Sequence, residues 1–115
     1  MYRFSYAQVL EDSAHEARRR EREAFERAIA LLKLAEASGP ESPEASEALF
    51  FLQRLWTILT GDLASDENAL PETLRASLIS IGIWIAKEVE AVRAGRTRSF
   101  LGLIDINTII CEGLR

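Results

Sequence analysis

The chain has little of what catalytic and secreted domains are built from. Its 115 residues include one cysteine, Cys111, and one histidine, His15. A single thiol excludes an internal disulfide, and a reducing cytoplasmic setting is the expectation. Cys111 falls at the edge of an apolar helical face and reads as core filler. His15 has no second imidazole and no nearby thiol, so metal ligation and nucleophilic catalysis lack their usual partners. It reads as a solvated residue in a polar first turn. No glycine-rich phosphate loop occurs. Asp62, Asp66, Glu67 and Asn68 place several oxygens in one loop, but their spacing does not fit a calcium loop and its glycine is missing. Turn and cap formation is their expected role. Neither a metal, nor a cofactor, nor an enzymatic activity is expected.

Long apolar runs are also missing. None reaches the ~18 residues that a membrane span needs. The opening "MYRFSYAQVLEDS" has neither the basic nor the apolar region of a secretory signal. Charge of one sign is lacking as well, since 14 basic residues face 18 acidic ones for a net charge of −4. A mildly acidic chain exerts no global pull on phosphates or anionic lipid. The arginines of "ARRREREAFER" (17–27) alternate with Glu21, Glu23 and Glu26, which argues for a solvated helix with weak pairs rather than an RNA-binding face. Arg93, Arg96 and Arg98 in "RAGRTRS" read as loop solvation and carbonyl capping.

What is present is helical. Ser13 followed by Glu16 matches a capping box and predicts the start of helix one. Ala17, Ala24, Phe25, Ala28, Leu31, Leu32 and Ala35 then recur at helical spacing, until Gly39, Pro40 and Pro43 interrupt. Helix two is predicted from Ser42, with Pro43 at its first position. Ala45, Ala48, Leu49, Leu52, Leu55, Trp56, Leu59 and Leu63 share one stripe. Phe51 and Ile58 fall on its flank and Phe50 on the far side. Pro71 opens helix three. Ser99 is the expected cap of helix four, whose face combines Phe100, Leu103, Ile106, Ile110 and Leu114, with Asn107 inside it. Asn107 is read either as a satisfied polar side chain or as a device that fixes helix register.

Helix three contains an ambiguity. In "SLISIGIWIA" (77–86), Ile79, Ile81, Ile83 and Ile85 alternate with other residues, as in a half-buried strand. Yet Leu78, Ile81, Ile85, Val89 and Val92 also form a helical stripe that continues past the alternation, and no matching hairpin partner exists. Isoleucine in a helix costs about a few tenths of a kcal/mol relative to alanine. Burying one contributes about 1.5–3 kcal/mol. Helix is therefore predicted.

The prediction is one all-α domain over residues 1–115, a four-helix bundle-like fold (13–115) preceded by an extended aromatic arm (1–12). Tyr2, Phe4 and Tyr6 alternate along that arm. Ile79, Ile83 and Trp84 on helix three, with Phe51 and Ile58 on helix two, exceed what the stripes use. Exposed apolar patches mark binding sites, and a groove for an amphipathic partner helix suits these residues. All eight are expected partner contacts.

"YRFSYAQVLEDS", "ALFFLQRLWTIL", "DLASDENALPETLRASLISIGIWI" and "FLGLIDINTIICEGL" together resemble the FlaF family of flagellar regulators, over essentially the whole chain. The resemblance implies a small cytoplasmic helical protein that promotes flagellin synthesis and export. It also implies two partners: flagellin, as the client of an export chaperone, and FlbT, which represses flagellin translation through its messenger RNA. It carries no catalytic residues. Direct RNA binding through Arg18–Arg27 and Arg93–Arg98, or a scaffold role for FlbT alone, are the alternatives.

Overall fold

A computed structural model describes residues 6–114, and the side chains of residues 13–114. Among them are four α-helices and no strand: α1 (Tyr6–Ser38), α2 (Pro43–Ala64), α3 (Glu72–Arg93) and α4 (Leu101–Glu112). The all-α expectation holds, and "SLISIGIWIA" lies within α3. Helix α1 packs against α2 and α4, and α2 against α3.

The ends follow local chemistry. Gly39, at φ +100°, closes α1 with its N–H on the Ala35 carbonyl at 2.8 Å. Gly95, at φ +76°, closes α3: its N–H reaches Val92 O at 3.1 Å and Arg96 N–H reaches Ala91 O at 2.8 Å. These left-handed positions favour glycine. Ser42 caps α2, its Oγ accepting from Ala45 N at 3.1 Å, with Pro43 in the first turn as predicted.

Two predicted starts move. Helix α1 is already formed at Tyr6, so Ser13 is interior rather than a cap, and Glu16 pairs with Arg19 instead. Tyr2 and Phe4 lie outside the described residues, as does the Tyr6 side chain. The start of α4 is held from a distance. The Phe100 N–H donates to the Glu36 carboxylate of α1 at 2.8 Å, while Ser99 Oγ accepts only from Leu101 N, at 3.2 Å.

Phe25, Leu32, Leu52, Trp56, Ile85, Val89, Phe100 and Leu103 form the centre of the core. The α2 stripe is as read, with Leu55 and Leu59 half-buried at its edges. The α4 face is rotated from its predicted setting: Phe100, Leu103, Ile104, Asn107 and Cys111 are buried, whereas Ile106, Ile110 and Leu114 are half-buried. Asn107 causes this. It is 0% exposed, accepts from the Trp56 indole N–H at 2.8 Å and donates to Leu103 O at 2.7 Å. The polar residue is thus at the middle of the buried face.

Helices α2 and α3 approach closely at Gly82. A Cβ there would lie 2.6 Å from Thr60 Cγ2 and 3.2 Å from the Trp56 ring. Thr60 is pinned, because its hydroxyl donates to Trp56 O at 2.7 Å.

Two stability predictions follow from these contacts. Asn107→Leu, though more apolar, strands the buried indole N–H and should lower stability by about 1–3 kcal/mol in urea unfolding; an unchanged midpoint would show that the bond contributes nothing. Gly82→Ala should destabilise by about 1 kcal/mol or more despite alanine's better helix propensity. Gly61→Ala, on an exposed turn of α2 with nothing within 4 Å, should instead stabilise by about 0.5–1 kcal/mol.

Candidate partner-binding surface

The core stripes of α2 and α3 face each other, so both helices also present an outer face. Small residues lie where they meet. Thr57, Thr60, Gly82 and Ala86 line a shallow cleft of about 110 Å³ above Trp56 and Val89. Thr57 and Gln53 also line a second cleft of about 370 Å³ with Phe50, Arg54 and Ile58. Phe50 in turn lines a third, of about 800 Å³, between the α1–α2 turn and the α3–α4 corner. Shared residues make the three clefts one trough along α2.

Large apolar side chains border this trough. On the α2 side, Ile58 is 66% exposed and Phe50 59%. On the α3 side, Ile83 is 54% exposed and lies one helical step from both Ala86 and Ile79. Ile79 is half-buried. The expected contact residues therefore divide. Ile58, Ile79 and Ile83 come together around the trough. Phe51 turns the other way, packing half-buried against the core with the Arg27 guanidinium 5.5 Å from its ring centre. Trp84 points towards α4, where a Cβ on Gly102 would sit 3.4 Å from its ring. It is 42% exposed, so part of its surface belongs to the α3–α4 contact.

Sequence reasoning passed over Phe50, which stood apart from every stripe. That isolation was the available signal: a phenylalanine opposite the core face of its own helix has no neighbour in the core. Leu101 and Ile109 of α4 are also exposed; the predicted rotation of α4 had hidden the outward setting of Ile109.

The charged segments are solvated. Arg19 pairs with Glu16, Arg22 with Glu26 at 3.8 Å, Arg27 with Glu47 at 3.9 Å and Arg98 with Glu41 at 3.7 Å. Arg18 and Arg22 stand beside Leu114, while Arg98 stands beside the α1–α2 turn. No single basic face joins them. His15 is exposed, and no group of residues that could hold a metal occurs among the described residues. Asn68 organises its loop, donating to Asp62 O at 3.2 Å and accepting from Leu70 N at 3.0 Å. No helix of the described residues is long and apolar enough to cross a membrane.

The Glu21 carboxyl is held above the ordinary carboxylate range, first by partial desolvation and then by the charge of Asp62. A raised carboxyl pKa favours the folded state in acid, and that advantage is lost as pH rises through the folded value. Glu21→Gln should therefore raise stability at neutral pH and leave it unchanged in acid, below the ordinary carboxylate range. Since Glu21 as a whole remains exposed, the gain is small; thermal unfolding at both pH values measures it.

No curated protein and no solved structure shows a significant match to this chain. A family model does: the one described as flagellar protein FlaF matches residues 2–114, essentially the whole length. An all-α chain with an apolar trough and no assembled catalytic group agrees with that match, and the protein belongs to the FlaF family.

Proposed function

We propose that this flagellar protein is a flagellin-binding chaperone that promotes flagellin synthesis and export together with FlbT. The α2–α3 trough takes an amphipathic helix from the terminal segments of flagellin. One observation carries the reading: Ile58 and Ile83 stand on opposite walls of a trough floored by small residues, and both are more than half exposed. Exposed isoleucine does not help a small bundle fold. It suits a surface that is covered in a complex.

Such a surface acts without chemistry. Flagellin's terminal segments are amphipathic and poorly ordered before assembly, and helix-in-groove docking orders them while hiding the face that polymerises. Regulation then follows by linkage: if free and client-loaded forms differ in affinity for FlbT, flagellin supply and translation are coupled. The interleaved pairs on α1 favour this protein-binding reading over direct RNA binding.

Co-purification with flagellin tests the proposal. Ile58→Glu with Ile83→Glu should abolish capture while circular dichroism stays helical, because exposed substitutions usually change stability by under about 0.5 kcal/mol. Capture of FlbT but never of flagellin selects the scaffold role. A tight gel shift of flagellin leader RNA by this protein alone selects the RNA-binding role.

A further inference from the structure

The wide end of the trough has a different character from the rest. Its floor is Leu49 and Val92, both buried, and one wall is the exposed ring of Phe50. Around this apolar base stand charged groups whose pairing is uneven. Glu41 is engaged by Arg98 at 3.7 Å, and Glu47 by Arg27 of α1 at 3.9 Å. Arg93 is held at 2.8 Å by the Gln53 amide oxygen, a neutral acceptor. That bond orients the guanidinium without cancelling its charge. Arg96, at the α3–α4 corner, makes no ion pair among the described residues.

Capping does not explain these arginines. Cations are favourable at a helix C-terminus, and arginine side chains often bond its last carbonyls. Here the backbone serves those carbonyls: Ala94 N–H reaches Glu90 O at 2.9 Å, Gly95 N–H reaches Val92 O at 3.1 Å, and Arg96 N–H reaches Ala91 O at 2.8 Å. Two cations thus remain uncompensated beside an apolar floor, on a chain whose net charge is −4.

We infer that this end of the trough is a clamp for the acidic end of an amphipathic partner helix, with Arg93 and Arg96 meeting its carboxylates and Phe50 and Val92 meeting an apolar anchor beside them. The inference rests on the chaperone reading above and adds a direction to it. Apolar walls alone accept a helix running either way, whereas a charged group at one end selects one orientation. The apolar floor favours a peptide over a nucleic-acid strand, because phosphates have no use for Leu49 and Val92.

Titration of fluorescently labelled flagellin with the full chain tests the clamp. Wild type is compared with Arg93→Glu/Arg96→Glu, with the milder Arg93→Gln/Arg96→Gln, and with Ile58→Glu/Ile83→Glu, each checked by circular dichroism. Both arginines are exposed, so the fold is expected to persist. The glutamate pair should bind roughly tenfold more weakly at low salt, with the difference shrinking as salt screens the contact, and the glutamine pair should fall between. Full affinity of the glutamate pair at low salt, with the isoleucine variant still defective, overturns the clamp and leaves the chaperone reading in place. Loss of leader-RNA binding in the glutamate pair, with flagellin affinity unchanged, overturns it in favour of phosphate recognition. Absence of flagellin binding by wild type overturns the reading and the clamp together.

Discussion

The Trp56 indole and the Asn107 amide share one buried hydrogen bond, and it decides how α4 sits on the rest of the bundle. Trp56 is 3% exposed and Asn107 is not exposed at all. Either group left without a partner inside a core costs about 1–3 kcal/mol, whereas apolar contacts tolerate small rotations at little cost. Directionality is what the bond adds. With Asn107 Oδ1 facing Trp56, α4 has one rotational setting. Leu103, Ile104 and Cys111 then turn inward, and Ile109 and Leu101 turn out. Trp56 is constrained in return. Phe25 packs edge-on to its ring, 5.9 Å between centres, and its carbonyl takes the Thr60 hydroxyl that faces Gly82. One residue therefore links the α1, α3 and α4 contacts of α2.

The trough is a by-product of that arrangement. Because Gly82 admits α3 close to α2, the surface between them is shallow and floored by small groups. The isoleucines beside it do not earn their place through the core. Of the four that alternate in α3, Ile85 is buried, Ile79 and Ile81 are half-buried, and Ile83 is mostly exposed. At Ile83 the helix bears a β-branched penalty of a few tenths of a kcal/mol with little burial to offset it. An arrangement that is mildly unfavourable for folding, and placed on a groove wall rather than scattered, is what an interaction surface looks like from inside one chain.

Periodicity made much of this legible. The α2 stripe, the helical nature of "SLISIGIWIA" and the two glycine-closed ends all follow from local spacing and backbone preference. What was not legible depends on contacts distant in sequence. Glu36 caps α4 from 64 residues away, so Ser99 was the natural but incomplete reading. The setting of α4 was misjudged because a hydrophobic count treats asparagine as an intruder, when its bond to Trp56, 51 residues away, makes it the centre of the face. Ser13 and Glu16 matched a capping box, but a match to four residues cannot tell a start from the interior of a helix that continues back to Tyr6. Among the candidate contacts, the sequence showed which residues exceeded the stripes. It could not show which way each surplus residue turned, so Phe51 and Trp84 were grouped with Ile58 and Ile83 although they face α1 and α4.

The direction of turning bears on how strongly such a surface can bind. A trough of small residues with isolated anchors buries less apolar area than a deep aromatic pocket, and a client that orders on docking gives up part of the gross interaction energy to conformational entropy. Moderate affinity and ready release are the physical consequence. For a carrier that must hand its cargo on, that is an advantage, and it needs no switch: charge contacts at one end speed encounter and set orientation, while the apolar walls set residence. The bond between Trp56 and Asn107 keeps the platform rigid throughout, so that the ordering entropy falls on the client and not on the bundle.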